Sequence, residues 1–425
     1  GSDAFGRRDV VVIDEAHGLA EWAEMYATIE LNARTVPGWE DLSVPDGSEL
    51  DGVAEAAVVA ERVADACRRR LEPLRDRTTL SPEQAAERDR LADRVRELEW
   101  FVEDVSDLDS ETEWLLEEGE GLTIKPLSPA RYLHHTVWDR GETFALLSAT
   151  ILDREGFCRS VGLDPSRVTL VDVAHTFPLE NRPIYDVTQG KMTYAEREET
   201  IPKLARLLVR LMARHPDEKG IVHAHSYGIQ RELAKRLREM RVGGRVRTHD
   251  RDDRDAELSS WLATDEPEVF LAVKMEEALD LEGDLARWQV LCKAPFPNTN
   301  DAGVAHRLDD GRWDWYNRTA LKTVIQACGR VVRSADDYGA TYLADSSLLD
   351  LFDRARWDMP DWFEEQVEAT TVPGLPEFDP EAALTGCDGA AVGSAGEMAR
   401  SDPSAGRSSE QAAIPEDHPL YDVWG

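Results

Sequence analysis

The pattern of hydrophobic positions divides the chain into three stretches. Residues 9–13 form an unbroken run of mostly β-branched side chains, which is typical of a fully buried strand in a parallel sheet. From about residue 50 to 105, apolar residues recur every three or four positions, and this period predicts two long helices joined by a short loop. From about residue 177 onward, short apolar runs alternate with helical patterns. The sequence therefore predicts βαβ units and a parallel sheet covered by helices on both faces.

Capping and composition signals set the limits of these elements. The second helix of the pair is expected to begin at Ser81, with Pro82 in the first position and Gln84 completing a capping box. A later helix is expected over residues 318–332. After about Ala369 the chain turns to Gly, Ala, Ser, Asp and Pro and loses its periodicity, which predicts a disordered acidic tail over residues 370–425.

The charge of the chain has two interpretations. Asp and Glu number 84 against 49 Lys and Arg, which gives a net charge of −35, and only eight of the 49 are Lys. An acidic chain ordinarily argues against a nucleic-acid partner. Alternatively, the whole surface is acidic because the protein is halophilic and works in concentrated salt, where charges are screened within a few ångströms. The acidic residues are spread over every segment, which favours the second interpretation, so the net charge does not exclude nucleic acid.

Cysteine usage and the missing apolar segments bear on location. The five cysteines are far apart and form no CxxC pair, so neither a disulfide framework nor a zinc site is expected, and a reducing cytoplasm is favoured. No apolar run is long enough to cross a bilayer, and no secretory signal is evident. Gly1-Ser2-Asp3 ahead of a buried-type strand predicts either a tag scar or the cut edge of a longer protein, and the second is favoured.

The strongest motif follows the first strand. Residues 10–13 lead directly into Asp14, Glu15, Ala16 and His17. Nucleotide-hydrolysing sheets present paired carboxylates at the carboxyl ends of their strands. Asp14 is then expected to hold Mg²⁺ through water, Glu15 to polarise the attacking water, and His17 to link the nucleotide to a neighbouring domain. The alternative is an ordinary strand end with solvated acids.

A small-residue motif follows the strand expected at residues 144–147. Ser148, Ala149 and Thr150 place two hydroxyl groups at a strand end, where they can relay a change at a γ-phosphate by switching hydrogen bonds. Taken alone, such a tripeptide is more often a helix cap. Its position between the acidic pair and the second sheet favours the coupling role.

The third motif runs from residue 326 to 333. Arg330 and Arg333 are expected on one face of a helix, where both guanidinium groups can reach the spread charge of a transferring phosphoryl group. Gln326, one turn earlier, can hydrogen-bond the nucleotide or the attacking water. Gly329 inside a helix costs about 1 kcal/mol relative to Ala, which hints at close packing or a ligand. The alternative is a surface helix with two solvated arginines.

The order of these motifs resembles the superfamily 2 helicases, and the details resemble the XPD/DinG branch. The Asp-Glu-Ala-His tetrad looks like motif II, a DEAH box, and residues 148–152 look like motif III. Further segments that look like family motifs are His225-Ser226-Tyr227 (motif IV), residues 277–284 (motif V), Pro295-Phe296-Pro297, and residues 326–333 (motif VI). The helical pair lies where the family carries its Arch insertion.

This resemblance implies an α/β protein with RecA-like parallel sheet domains, the first of them incomplete, and a helical Arch-like insertion. Expected boundaries are 1–30 and 136–173 for the first RecA-like domain, 31–135 for the insertion, 174–369 for the second RecA-like domain, and 370–425 for the tail. It also implies an ATP-dependent DNA helicase of haloarchaeal type that moves 5′→3′ in repair or replication. Asp280 is expected at ATP together with the motif II and VI residues, and Ser226, Tyr227 and Glu277 at single-stranded DNA.

The chain departs from the family pattern in one major respect. No G-x-x-x-x-G-K-[ST] phosphate-binding loop occurs anywhere in it, and the family's iron–sulfur cysteines would lie in the same upstream stretch. The chain alone is therefore expected to hydrolyse ATP negligibly. One alternative is a non-enzymatic DNA-binding or regulatory fragment that works with a separate ATP-binding partner. Another is a nuclease of the same broad family, for which the sequence offers no convincing acidic metal cluster.

Overall fold

The computed structural model describes residues 6–36, 38–39, 42, 44–45, 47–106, 114–117, 121–173, 175–273, 281 and 283–384. A small parallel sheet near the start pairs strands β1 (Arg8–Ile13) and β5 (Gly141–Leu146), with Ile13 opposite Leu146. Helices pack on one side of this sheet: α1 (Leu19–Ala27), α4 (Ala130–Thr136) and α5 (Arg154–Val161).

Strand β1 is not fully buried, so that prediction is wrong. The side chains of Val10 and Val12 are 60% and 62% exposed. The strand alternates, because Ile13 faces the apolar cluster formed with α1 and α4 while the two valines point to the other face. Among the described residues, no element covers that second face, since this sheet contains two strands only.

The inserted region contains the predicted helical pair. Helix α2 (Val53–Arg75) packs along α3 (Pro82–Ser106), and their apolar stripes form one cluster around Leu71, Leu98 and Phe101. The capping box is present, since the Ser81 amide donates to Gln84 Oε1 (3.1 Å) and the Gln84 amide donates to Ser81 Oγ (3.3 Å).

The sequence predicted a helical insertion, but the inserted region is not purely helical. It also contains an antiparallel sheet in the order β2 (Ile29–Leu31), β4 (Leu122–Pro126), β3 (Trp114–Glu117). These strands are three to five residues long, too short to give a clear alternating pattern in the sequence. Their inward side chains, such as Ile29 and Ile124, complete the cluster on the helical pair.

The second half of the chain forms a fully parallel sheet, as predicted. Its strand order is β6 (Ile184–Gly190), β11 (Ala340–Asp345), β10 (Trp288–Leu291), β7 (Gly220–His223), β9 (Val269–Ala272) and β8 (Val246–Arg247). Its helices are α6 (Arg197–Arg214), α7 (Tyr227–Glu239), α8 (Arg254–Ala263), α9 (Ala302–Asp309), α10 (Trp313–Cys328), α11 (Ser347–Arg354) and α12 (Asp361–Glu368). Apolar clusters on both faces of this sheet form its core.

The segment expected to begin the disordered tail is ordered as far as residue 384. Thr371 bridges to Tyr185 at the free edge of β6, and the Asp186 amide donates to the Thr371 carbonyl (2.9 Å). Beyond it, Arg210 and Arg214 of α6 donate to main-chain carbonyls of residues 374–376. Main-chain bonding of this kind leaves no trace in side-chain periodicity. The rest of the predicted tail, 385–425, lies outside the described residues.

Buried Arg245 ties this segment to the sheet domain. Its guanidinium donates to five main-chain carbonyls, and burial lowers its pKa to about 10. The acceptors are the carbonyls of Met212, His215, Glu218, Pro267 and Ala383.

Candidate nucleotide site

The acidic pair lies at the carboxyl end of β1. The Glu15 amide donates to Asp14 Oδ1 (2.9 Å), and both carboxylates are exposed. Glu15 has φ 48° and ψ 39°, in the left-handed region that costs a non-glycine residue about 1–2 kcal/mol. The chain is held in this turn because the Leu147 amide donates to the Ile13 carbonyl (2.8 Å) and the Ala16 amide to the Leu147 carbonyl (2.9 Å). Backbone strain of this kind concentrates at functional sites.

The Asp14 carboxylate suits a hydrated magnesium ion. It is exposed at a strand end and needs only one oxygen for the Glu15 amide. Within the described ranges, no group of three or more His, Cys, Asp or Glu side chains is arranged to hold a metal. The remaining ligands of Mg²⁺ would therefore be oxygens of water and of the nucleotide, the arrangement that this ion favours.

His17 is the centre of a hydrogen-bond network that joins three of the predicted motifs. Gln326 Nε2 of α10 donates to His17 Nε2 at 2.6 Å. With that nitrogen accepting, the proton of the neutral ring lies on Nδ1, which is 3.0 Å from Ser148 Oγ and 3.2 Å from a Glu15 carboxylate oxygen. Gln326 Nε2 also contacts Thr150 Oγ1 (3.2 Å), and the Thr150 amide donates to Ser148 Oγ (3.0 Å).

The surroundings of His17 keep its ring neutral. Burial and then the positive charge of Lys322 lower its pKa to about 4, with a smaller contribution from Arg330, although the Glu21 carboxylate acts in the opposite direction. Lys322 lies over this part of the site, because its ammonium group donates to Glu21 (2.6 Å) and to the His17 carbonyl (3.4 Å). A neutral ring can accept and donate at once, as the network requires.

Gln326 has one unused polar atom. The side chain is 9% exposed, and its amide oxygen is buried with no hydrogen-bond partner among the described residues. A buried amide oxygen without a donor costs about 1–3 kcal/mol. The site thus holds an acceptor that a donor from water or a ligand would satisfy.

Arg330 and Arg333 do not lie on one helix face, so that prediction is wrong. Helix α10 ends at Cys328 and Gly329 caps it; the two arginines follow in a turn and an irregular segment. Gly329 has ordinary helical dihedral angles, and an added Cβ would meet nothing closer than 3.6 Å, so close packing does not explain it. The positive charge of Arg330 acts at His17, where it contributes to the lowered pKa.

Asp337 organises the irregular segment that carries the arginines, a function that sequence reasoning missed. It is buried, forms an ion pair with Arg287 (2.8 Å) and accepts from the Arg333 amide (3.1 Å) and the Gly283 amide (3.3 Å). The available signal was Asp337 directly before Tyr338-Gly339, since a buried acid in a turn usually accepts several main-chain bonds.

The remaining predicted residues lie apart from this network or outside the described residues. Ser226 caps α7, accepting from the Ile229 amide (3.2 Å), and the Tyr227 ring lies 5.7 Å from the ring of His249. Ala149 lies between the two hydroxyl residues of the coupling motif. Glu277 and Asp280 lie outside the described residues.

Two further findings concern the chain as a whole. Cys67, Cys158, Cys292 and Cys328 are free and buried. In the described part of the chain, no helix combines the length and the apolar composition needed to cross a membrane.

Comparison with known proteins places this site in a family context. Residues 208–366 match the family described as helicase C-terminal domain. The ATP-dependent DNA helicase CHL1 of Eremothecium gossypii is 23% identical over 321 residues, which is 67% of this chain and 40% of that protein. The regulator of telomere elongation helicase 1 homolog of Anopheles gambiae is 34% identical over 123 residues, 25% of this chain and 12% of that protein.

A solved structure titled XPD_APO is similar over 85% of this chain and 76% of its own, with 16% identity and a TM-score of 0.49. The match spans less than half the length of the two curated relatives, at 40% and 12%. The chain is thus similar to helicases: residues 208–366 match the helicase C-terminal domain, and both curated relatives carry the name helicase.

Proposed function

We propose that this chain is the ATP-coupling and second motor part of an ATP-dependent DNA helicase. The observation that supports this most is the 2.6 Å hydrogen bond between His17 and Gln326, two residues separated by 309 positions. It joins the end of the acidic strand to the end of the helix before the arginines. A bond between the two sheet regions at this point is what a nucleotide cleft shared by both would need.

In this proposal ATP lies between the two walls. Asp14 would hold hydrated Mg²⁺, which neutralises phosphate charge, and Glu15 would accept a proton from the attacking water. Arg330 and Arg333 would stabilise the charge of the transferring phosphoryl group. Gln326, with its buried amide oxygen, would bond the nucleotide or that water.

The network around His17 would carry the state of the nucleotide to the rest of the chain. His17 contacts Glu15 on one side and Gln326 on the other, so a change at the acidic pair is felt across the cleft. Ser148 bonds to His17 and Thr150 bonds to Gln326, and both hydroxyl groups would switch partners as the cleft opens and closes. Domain boundaries near residues 30, 135 and 173 are part of this proposal, and the second motor domain would extend past residue 369, because Arg210, Arg214 and Arg245 bond to the segment that follows.

DNA movement would follow from the opening and closing of the cleft. Single-stranded DNA would pass Ser226 and Tyr227 at the carboxyl end of β7 and the motif V residues Glu277 and Asp280, with 5′→3′ direction and a role in repair or replication. We also propose a halophilic, cytoplasmic setting, because the net charge is −35 and the described cysteines are free.

A second candidate is a non-enzymatic module that binds DNA or regulates a partner. It is favoured by one specific observation, the lack of any G-x-x-x-x-G-K-[ST] loop in the 425 residues. In that case a separate protein would supply the groups that surround the β- and γ-phosphates.

The test is the rate of ATP hydrolysis, with and without single-stranded DNA, by this chain and by a chain extended upstream with a phosphate-binding loop. We expect negligible turnover by this chain and DNA-stimulated turnover by the extended one. In the extended chain, Glu15→Gln should lower kcat by about 10²- to 10⁴-fold, and Arg330→Ala by about 10³- to 10⁵-fold.

Glu142→Gln is the matched control, because it makes the same carboxylate-to-amide change at an exposed position at the amino end of β5, in an ion pair with Arg7. It should change kcat by less than about 3-fold, as an exposed ion pair is worth under 1 kcal/mol. Strong DNA-stimulated turnover by the unextended chain would contradict the proposal for this chain. Full activity of Glu15→Gln in the extended chain would remove Glu15 from the reaction.

A further inference from the structure

The outer face of helix α6 carries a row of positive charge in a strongly acidic protein. Lys203, Arg206, Arg210 and Arg214 are spaced three or four residues apart, so they share one face of the helix. The chain has a net charge of −35, and several of its described arginines on other elements lie beside carboxylates. A row of four cations is therefore a local exception to the charge of the whole molecule.

These four cations are not neutralised by carboxylates within the described ranges. Lys203 and Arg206 are exposed. Arg210 donates to the Pro376 carbonyl (2.7 Å) and Arg214 to the Gly374 carbonyl (2.6 Å), which fixes both guanidinium groups but leaves their charge in place. The row thus attracts anions and holds two of its members in fixed positions.

Three members of the row, Lys203, Arg206 and Arg210, form one wall of a groove of about 640 Å³. The other wall is the segment after α12, which contributes Phe378 and the single carboxylate of the groove, Glu377. Phe378 is 45% exposed, and the Arg206 guanidinium lies 5.9 Å from the centre of its ring. Gln189 also lines the groove and lies near the carboxyl end of the edge strand β6. Parallel sheets commonly bind ligands at the carboxyl ends of their strands.

We propose that this groove binds single-stranded nucleic acid, with phosphates on the cations and a base on Phe378. The distance along the helix from Lys203 to Arg210 is about 10 Å, which covers two or three phosphates at about 3.4 Å per nucleotide of a stacked strand. An aromatic ring beside a row of cations binds single strands without regard to sequence, because every base has a flat face.

An acidic polypeptide is the competing occupant, and the aromatic ring argues against it. Aspartate and glutamate side chains would use Lys203 and Arg206 but have no flat apolar face to place on Phe378. This proposal rests on the proposed helicase function and adds a second DNA surface to it. The groove lies at β6, and two strands, β11 and β10, separate β6 from β7, after which Ser226 and Tyr227 lie. It would hold the strand at a second surface.

The test measures binding of this chain to a fluorescent 20-nucleotide oligo(dT) by anisotropy, from 0.1 to 1 M salt and without nucleotide. The slope of log K against log[salt] is negative, and each phosphate contact on a single strand contributes about −0.7 to it. In the double variant Lys203→Gln/Arg206→Gln, which loses two contacts, the slope should become less negative by about 1.4. If the affinities converge at 1 M salt, this slope change means about 25-fold weaker binding at 0.1 M.

The matched control is Lys235→Gln/Arg238→Gln on α7. It removes one Lys and one Arg at the same three-residue spacing from exposed positions. It lowers the net charge by the same amount, so any general electrostatic effect appears in both double variants. The slope of the control should stay within about 0.3 of the unaltered chain, as long-range effects are screened.

Phe378→Ala tests the base contact separately. It should weaken binding of oligo(dT) by about 5- to 150-fold and leave binding of an abasic strand of equal length unchanged. Circular dichroism of each variant checks that it is folded.

Three outcomes would overturn the proposal: no binding of oligo(dT) by the unaltered chain, equal slopes for the two double variants, or displacement of the strand by polyglutamate as readily as by unlabelled oligo(dT). Because no nucleotide is present, these outcomes do not depend on the ATPase roles of Glu15 and Arg330. Failure of the proposed helicase function would instead appear in the ATPase variants while the groove still bound DNA.

Discussion

The neutral state of His17 should make the protein less stable in mild acid. Its pKa is lowered to about 4 by burial and by Lys322, against an ordinary value of 6.5. Between these two values the unfolded chain binds a proton at this position and the folded chain does not. Stability is therefore complete above pH 6.5 and decreases as the pH falls toward 4.

The size of the effect follows from the two pKa values. Linkage gives a loss of about 2 kcal/mol at pH 5 and about 3 kcal/mol at pH 4. The side chain of His17 is only 8% exposed, so solvent screening reduces these figures little. Measurements should stop near pH 5, because the calculated isoelectric point is 4.6 and solubility falls where the net charge vanishes.

The assay compares the unaltered chain with His17→Asn, which cannot take up a proton. Urea unfolding at several pH values from 5 to 7.5 gives the difference in stability between the two, so titration of all other groups cancels. That difference should shrink by about 2 kcal/mol toward pH 5. NMR of labelled imidazoles reads the same group directly, and the resonance absent from His17→Asn should show no midpoint above pH 5. A constant stability difference, or a midpoint near 6.5, would refute the reasoning.

Two further predictions concern buried arginines. Arg245→Met removes one donor from each of five main-chain carbonyls and should destabilise the protein by about 4 kcal/mol or more. Arg247→Met, in a partly exposed ion pair, should cost about 1 kcal/mol in the same thermal unfolding measurement; equal losses would contradict the carbonyl argument. Arg307→Ala removes the ion pair with Glu24 (2.9 Å) and the bond to the Leu127 carbonyl, and it should cost about 2–3 kcal/mol. Burial already raises the pKa of Glu24, so part of this loss should be recovered as the pH is lowered from 7.5 toward 5 and Glu24 takes up a proton; no recovery over this range would show that Glu24 is solvated.

The helices and strands could be predicted from the sequence, because they depend on residues that are close together along the chain. The helical pair, with its Ser81 capping box, and the parallel sheet were predicted from periods of 3.6 and from short apolar runs. The acidic pair was recognisable for the same reason, since residues 10–15 are contiguous. The burial of β1 was predicted wrongly, because exposure depends on which elements cover a face and not on the strand's own residues.

Contacts between distant segments were decided by the tertiary structure alone. No local pattern shows that Gln326 reaches His17, that helix α10 stops at Cys328 before the arginines, or that Arg245 fixes the segment ending near residue 384. The sequence by itself thus determined which residue types form the site, because they stand in short contiguous motifs. Their meeting point is set by packing of the two sheets and by main-chain hydrogen bonds, which are long-range and involve no side-chain pattern that a sequence displays.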